Sequence, residues 1–369
     1  MCSIPGGSRR GDRSFDPKET MTFVMPTLKP AALISGAVAA LLVLSGCSST
    51  PEGDAKPDTA GESSTSALLP EAEGKTDYPL TLETPFGDTT LDERPDRIAI
   101  VTSATPDTDA LLALGGTPVF APSTIERNSW LDASFTDPIE TIWDASPDVE
   151  LPAEAVAASK PDLIVTLQAL DTFDQKAFDQ LSAIAPVLYA EVDSLSWQDL
   201  TQTLGDTIDL GDRAAEAVAD TEKVIERTRE AHPEFEGKTA THVIAHSEKA
   251  GAFYASTPGS NTEQLFNELG FVLPEAAQSV APGTKISDEL MGMIDADFLL
   301  ISTITEPEFF LDSPLLKSVP AVAEGRAVID PAEEGTTTNN FAWGLNQQSV
   351  LSIPWLIERL AEMGSEALG

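Results

Sequence analysis

From residue 97 to the C-terminus, short apolar runs of strand length alternate with stretches of helical period, and that alternation limits the chain to few architectures. A buried strand is expected over 97–101, a helix over 108–114 stopped by Gly115-Gly116, and a strand over 117–120. A helix over 153–158, a strand over 162–165, a helix over 175–184 and a strand over 187–189 continue the pattern. Strands separated by helices pair in parallel and must be covered on both faces. Trp197, Leu200, Leu204 and Ile208 then recur at helical spacing, and Asp212 is placed to cap a helix running through Arg229 with Val218 and Ile225 on one stripe. A helix of about 20 residues spans about 30 Å. Beyond His232-Pro233 the alternation restarts: strand 240–245, helix 262–269 ended by Gly270, helix 288–293, strands 298–302 and 327–330, and a last amphipathic helix over about 350–363. The expected fold class is α/β, with two lobes, each a mainly parallel central sheet flanked by helices, joined by one long rigid helix. Residues 77–210 form the first lobe, opening on a hairpin around Gly87-Asp88, residues 211–232 the linking helix and 233–369 the second lobe. A stiff strut implies modest closure between the lobes.

The N-terminal region reads differently. Residues 31–47 are apolar or small up to Leu44-Ser45-Gly46-Cys47, after which the chain turns abruptly polar. This run is shorter than the ~20 residues that cross a bilayer as a helix, Lys29 flanks it, and small residues precede a cysteine that can be cut before and acylated. It is similar to a bacterial lipoprotein signal. Residues 1–46 are therefore expected to be a signal peptide, with 1–20 untranslated if the start lies at Met21 or Met25, and Cys47 to carry the acyl (palmitate) anchor; a short membrane anchor with an incidental cysteine is the alternative. Residues 47–76, rich in Ser, Thr, Pro, Glu, Asp and Gly, are expected to form a disordered tether.

The formal net charge is −38, and loss of 1–46 makes it more negative. Such a surface repels phosphates and anionic headgroups, which excludes nucleic acid and leaves membrane attachment to the lipid on Cys47, on the extracytoplasmic face of the cell membrane. With Cys47 acylated and Cys2 lost, no disulfide is available and the fold depends on its apolar core.

Several motifs, in order, carry a resemblance. Glu93-Arg94-Pro95-Asp96-Arg97-Ile98 resembles a "P-x-R-V" strand, Asp109-Ala110-Leu111-Leu112-Ala113-Leu114-Gly115 an "E-x-x-x-x-L-G" helix with Asp in place of Glu, and Glu154 through Ile164 an "E-x-x-x-x-x-K-P-D-L-I" signature. Gly259-Ser260-Asn261 leads into Leu265-Phe266-Asn267-Glu268-Leu269-Gly270, and Ile286-Ser287-Asp288-Glu289-Leu290 into Ile294-Asp295-Ala296-Asp297. Over nearly all of residues 77–365 the chain resembles the class III, or cluster A2, substrate-binding proteins of bacterial ABC importers, which serve ferric siderophores, haem and vitamin B12. The stretch from Asn340 to Trp355 looks most like the iron-siderophore branch.

The resemblance implies a monomeric lipoprotein that captures a ferric siderophore between its lobes and delivers it to a permease dimer. It implies no cofactor, iron being carried only within the siderophore. It also implies that Glu154 and Glu289, one per lobe, dock on permease arginines; the ordinary alternative is a carboxylate favoured at a helix N-terminus, and Asp288 competes with Glu289. Open α/β sheets bind ligands beyond the carboxyl ends of their strands, which nominates Arg127 and Trp130 in the first lobe and His246, Tyr254, Asn340 and Trp343 in the second. Arg127 suits anionic donor oxygens and Trp130 an apolar face, although Trp and Tyr serve as readily in packing. Scarce positive charge favours a neutral or cationic complex, such as a ferric trihydroxamate, over a catecholate.

Cobalamin, or haem held by Tyr254 or His246, is the alternative cargo, and a non-transport interaction lipoprotein the alternative class. A bare-metal receptor is disfavoured because the chain has only three histidines. No enzyme is expected, since there is no Gly-x-Ser-x-Gly, Gly-x-x-x-x-Gly-Lys or His-Glu-x-x-His motif.

Overall fold

The structure, a computed structural model, describes residues 67–146, 152–169, 173–334, 336 and 338–369. Cys47, the signal segment and the tether up to residue 66 lie outside the described residues.

A hairpin of β1 (Leu80–Leu82) and β2 (Thr89–Leu91) opens the first lobe. Its main sheet contains β3 (Ile98–Ile100), β4 (Phe120–Pro122), β5 (Thr141–Trp143), β6 (Leu163–Ala169) and β7 (Val187–Glu191), all parallel in the order β5-β4-β3-β6-β7. Between and after these strands lie α1 (Pro106–Ala113), α2 (Ala133–Thr136), α3 (Ala153–Ala158), α4 (Gln175–Ser182) and α5 (Trp197–Thr207). The whole of β6 is buried, and its side chains alternate between two cores. Leu163, Val165 and Leu167 pack with α1 and α5, while Ile164 packs with Val156 of α3 and Phe178 and Leu181 of α4.

The second lobe repeats the scheme. Its sheet runs β11 (Ala327–Asp330), β10 (Phe298–Thr303), β8 (Ala240–Ala245), β9 (Ala252–Tyr254), with only β9 antiparallel. Its helices are α7 (Asn261–Glu268), the short α8 (Glu308–Leu311), α9 (Pro314–Ser318) and α10 (Pro320–Ala323), then α11 (Asn340–Asn346) and α12 (Ser352–Leu368). Joining the lobes is α6 (Gly211–Ala231), which places Ala214 in a first-lobe core and Ile225 in a second-lobe core. Burying an aliphatic side chain of Ile size contributes about 2 kcal/mol, so the strut is bonded into both cores.

Four local features differ from the sequence expectation. Strands β5 and β9, each three residues long, were not expected. The stretch from Asp288 to Ile294 is a 3-10 helix and not an α-helix; it is short and carries Gly292. Residues 340–346, read as a loop before the last helix, form α11.

The fourth is the segment 67–76, expected within the tether but fixed on the first lobe. Leu69 is buried in the core with α1, where a Cβ on Gly116 would come within 2.8 Å of it. Arg94 Nη2 donates to the Pro70 carbonyl at 2.8 Å. Glu73 accepts from the amides of Asp212 and Arg213 (2.7 and 3.0 Å), so an acid from the arm satisfies the free N–H groups opening α6. In return Asp209, left-handed at φ 57° between α5 and α6, accepts from the amides of Gly74, Lys75 and Thr76 at 2.7, 2.8 and 3.0 Å. Burial works against its charge, but the three amides outweigh it and hold the carboxyl below its ordinary range. Asp209→Asn keeps the left-handed turn and loses charge-assisted acceptors; it is expected to cost about 1–2 kcal/mol in urea denaturation and to expose 67–76 to protease. An unchanged midpoint with an uncut arm would contradict this clasp.

Candidate ligand cleft and lobe junction

The carboxyl ends of both parallel sheets lead into the loops that meet between the lobes, because a strand followed by a helix always turns at that end. The lobes are fastened there at one buried point. Asp109, in the first turn of α1 and 0 % exposed, uses Oδ2 to accept from Trp130 Nε1 at 2.9 Å and from Ser349 Oγ at 2.5 Å. Trp130 ends the loop after β4, whereas Ser349 belongs to the segment between α11 and α12. The Thr105 amide donates to Gln347 Oε1 at 3.3 Å, and Thr221 of α6 donates to the Val350 carbonyl at 3.1 Å. Residues 347–350 are thus tied to α1 and to the strut.

Asp107, also 0 % exposed, turns to β6 and accepts from the Leu167 amide at 2.6 Å. Burial pushes both carboxyls up from 3.8 to about 7, opposed at Asp109 by Ser349, Trp130 and Asn128 and at Asp107 by the amides of Leu167 and Gln168. Pro106 at the helix start and acids in its first turn are the residues a helix N-terminus favours.

The second-lobe side is equally braced. Asp330, at the end of β11 and 1 % exposed, accepts from Arg359 Nη2 at 2.7 Å and Asn339 Nδ2 at 2.8 Å. Asn339 also donates to the Thr303 carbonyl and caps α11 by accepting from the Ala342 amide at 2.7 Å. The Arg359 guanidinium lies over the rings of Phe341 and Trp355, 5.2 and 5.8 Å from their centroids.

Of the residues nominated from sequence, two leave the candidate surface. Tyr254 is 3 % exposed in the second-lobe core among Val243, Ala252 and Ile301, because β9 turns it inward; burial raises its hydroxyl pKa, with Ser256 opposing. Trp130 is held by Asp109 and packs on Trp355 with centroids 5.6 Å apart, in space that a Cβ at Gly344 would crowd at 3.2 Å. The other four stay at the loops. Arg127 ends an exposed 3-10 turn (Ser123–Arg127) and has no hydrogen bond or ion pair among the described residues. Asn340 donates to Ser129 Oγ at 3.3 Å, which sets the Arg127 loop beside α11. Trp343, one turn along α11, is 37 % exposed. His246 follows β8 half-buried, edge-on to Phe253, and burial lowers its pKa.

Glu154 and Glu289 are both exposed, in the first turn of the helix that precedes β6 in one lobe and β10 in the other. The two acids therefore occupy equivalent places in the two halves. Beside Glu289, Ser287 and its own amide hold the carboxyl below its ordinary range. Sequence reasoning missed Asp107, Asn339, Asp330 and Arg359, and treated Asp109 only as a motif position. Acids inside the apolar run Thr105-Pro106-Asp107-Thr108-Asp109-Ala110-Leu111-Leu112 were the available signal.

One cavity lies between the lobes and another along the strut. The first, about 90 Å³, lined by Gln168, Trp197 and Gln198 from one lobe and Asn261, Gln264 and Gln347 from the other, is too small for an iron chelate, which needs at least about 300 Å³. The second, about 460 Å³, runs along α6 between Glu222, Glu226, Glu230 and Glu268 and repels anions; burial and Glu222 push Glu268 up to about 7. The candidate ligand surface is the junction of the Arg127 loop with α11, where Asn340 reaches Ser129 and both Arg127 and Trp343 are exposed; His246 lies on the loop after β8 of the second lobe. Among the described residues no group of three or more His, Cys, Asp or Glu could hold a metal, and no helix is long and apolar enough to cross a membrane.

Comparison with known proteins agrees with this geometry. A family model described as "Periplasmic binding protein" matches residues 98–334. The probable siderophore-binding lipoprotein YfiY of Bacillus subtilis is 27 % identical over 305 residues, covering 78 % of this chain and 86 % of the relative. The ferric enterobactin-binding periplasmic protein FepB of Escherichia coli is 27 % identical over 270 residues, 67 % of this chain and 82 % of that one. Among solved structures, a periplasmic solute binding protein from Mycobacterium smegmatis superposes with a TM-score of 0.65 at 22 % identity, covering 79 % of this chain and 99 % of the other. PiaA of Streptococcus pneumoniae in complex with ferrichrome gives 0.61 at 23 %, covering 78 % and 98 %.

The buried acids predict the pH dependence of stability. Between the unfolded carboxylate value of 3.8 and about 7, Asp107 and Asp109 hold protons in the folded chain that the unfolded chain has released. Their stabilisation is full below that window and is lost as pH rises through about 7. Buried His242 acts oppositely: burial pushes it from 6.5 down to about 3, so stability falls as pH drops below 6.5. The melting temperature is expected to fall as pH rises from about 5 to about 7, two acids outweighing one histidine, and to level off above 7, and an Asp107→Asn, Asp109→Asn double variant to lose that fall. An equally steep drop in the variant would contradict the assignment.

Proposed function

The chain belongs to the periplasmic binding protein family, and from that membership we propose that it is an extracytoplasmic receptor that captures a ferric siderophore between its lobes and delivers it to an ABC importer. The observation that carries the reading is the cleft itself. Loops after the parallel strands of the two sheets meet at the junction, and there stand the Arg127 guanidinium, without a partner among the described residues, the exposed Trp343 and the amide of Asn340. A guanidinium suits the anionic donor oxygens around ferric iron, and an indole face suits the apolar backbone of a chelator. The names of YfiY and FepB support siderophores as the ligand class. With a single nominated cation at the junction in a chain of net charge −38, a neutral complex such as a ferric trihydroxamate is preferred to a highly anionic catecholate. Haem loses one of its two candidate axial ligands, since Tyr254 faces the core.

An acyl chain on Cys47 would hold the receptor at the outer face of the cell membrane, the reading that the lipoprotein relative supports. Glu154 and Glu289, exposed at equivalent places in the two lobes, are the proposed grips for the two permease subunits, one subunit per lobe.

Calorimetric titration with ferric hydroxamate, catecholate and citrate complexes, haem and cobalamin tests the function. Saturable one-to-one binding of the trihydroxamate is expected, weakened about tenfold by Trp343→Ala, the loss of roughly 1.4 kcal/mol of contact. No binding across the panel would sink the reading. A Glu154→Ala, Glu289→Ala variant is expected to bind as before and to fail in import; normal import would remove the docking assignment.

A further inference from the structure

Asp109 does more than fill a buried position. The loop after β4 carries Arg127 and is held by its own turns, in which Asn128 and Leu131 donate to the Ile125 and Asn128 carbonyls, by the Ala145 amide on Ser123 Oγ at 3.2 Å and by Asn340 on Ser129 Oγ at 3.3 Å. Its inner side packs only a small cluster of Ala121, Ile125 and Ile139. Its far end is set by Trp130, whose indole N–H reaches the same Asp109 oxygen that receives the Ser349 hydroxyl from the second lobe. Ser349 cannot shift independently of its own lobe, because its Oγ also accepts from the Ser352 amide at 2.9 Å at the start of α12, while its amide donates to Ser352 Oγ at 2.9 Å.

We propose that Asp109 is a positioning residue for ligand capture, its Oδ2 tying the Arg127 loop, through Trp130, and the second lobe, through Ser349, to one point so that the loop is held in register with the second lobe. This rests on reading the junction of the Arg127 loop with α11 as the ligand site. A carboxylate oxygen has two lone-pair directions, and here each is used by a donor from a different body. Any displacement of Ser349 pulls the carboxylate about its side-chain bonds and re-aims the indole bonded to it. The indole in turn lies against Gly344, next to Trp343, so both ligand-facing residues, Arg127 and Trp343, sit within three positions of the coupled atoms. Buried in low dielectric, with no cation bonded to it, the carboxylate depends on these donors. Losing either one is therefore transmitted to the other.

The test compares Ser349→Ala, Trp130→Phe, Asp109→Ala and Asp109→Asn in the full chain, reading hydrogen exchange of residues 123–131 and the dissociation rate of ferric trihydroxamate. Ser349→Ala, a change in the second lobe, is expected to speed exchange in this first-lobe loop about fivefold and ligand release about tenfold. Trp130→Phe, which keeps a ring but removes the donor, should do the same. Neither should add to Asp109→Ala, and Asp109→Asn, which keeps an acceptor oxygen, should restore most of the protection. Unchanged loop exchange in Ser349→Ala overturns the coupling, and so do effects that multiply in the Asp109→Ala background. Faster exchange with unaltered ligand release overturns the role in capture. A wild-type chain that binds none of the iron complexes overturns the functional reading and the capture role with it, while loop exchange still decides the coupling.

Discussion

The buried carboxylate of Asp109 is the point on which the two halves of this molecule are hung. An ionisable group with no exposed surface is expensive to hold unless it is hydrogen-bonded, and here Oδ2 accepts from two lobes at once, from Trp130 and from Ser349. The remaining junction is arranged around that bond: the Thr105 amide on Gln347, the Thr221 hydroxyl on Val350, and the indoles of Trp130 and Trp355 in contact. The strut α6 shares its apolar residues between both cores, so neither lobe can turn freely about it. What remains adjustable is the rim, where Arg127 and Trp343 stand at the surface.

The same logic of borrowed partners recurs at the start of the domain. Glu73 closes the N-terminus of α6, and Asp209, beside that helix, closes the turn of the arm that bears Glu73. Each acid answers unpaired amides belonging to the other segment. A long helix that must act as a strut is thus capped by sequence far upstream of it. In the second lobe, Asp330 plays the corresponding part, binding Arg359 of α12 and Asn339 at the cap of α11.

Much of the architecture could be read from the chain because its information is periodic. The apolar run Leu163-Ile164-Val165 reads as a strand buried on both faces, Leu200 and Leu204 announce a helix that covers it, and Val218 and Ile225 announce the strut that reaches the second-lobe core. Strands β5 and β9 were not among the strands expected from the sequence, and a polar composition hid the arm, whose single buried Leu69 outweighs its many acids. The candidate site was less legible for a different reason. Aromatic residues near strand ends look alike whether they face a ligand or a neighbour, and only the fold shows that Trp130 and Tyr254 are committed inward while Trp343 is not. A buried acid is harder still to recognise, since its partners Ser349 and Trp130 lie far away in sequence.

The central claim is that a fastened junction keeps the lobes at a nearly fixed angle while the rim adapts to the ligand. The most direct measurement is the distance between spin labels on exposed Lys176 of α4 and Lys317 of α9, one per lobe, with and without saturating ferric trihydroxamate. The account predicts one narrow distribution that moves by less than about 2 Å on binding. A broad or two-peaked distribution in the free protein, or a shift on the order of 10 Å on binding, as hinge closure would give, would contradict it.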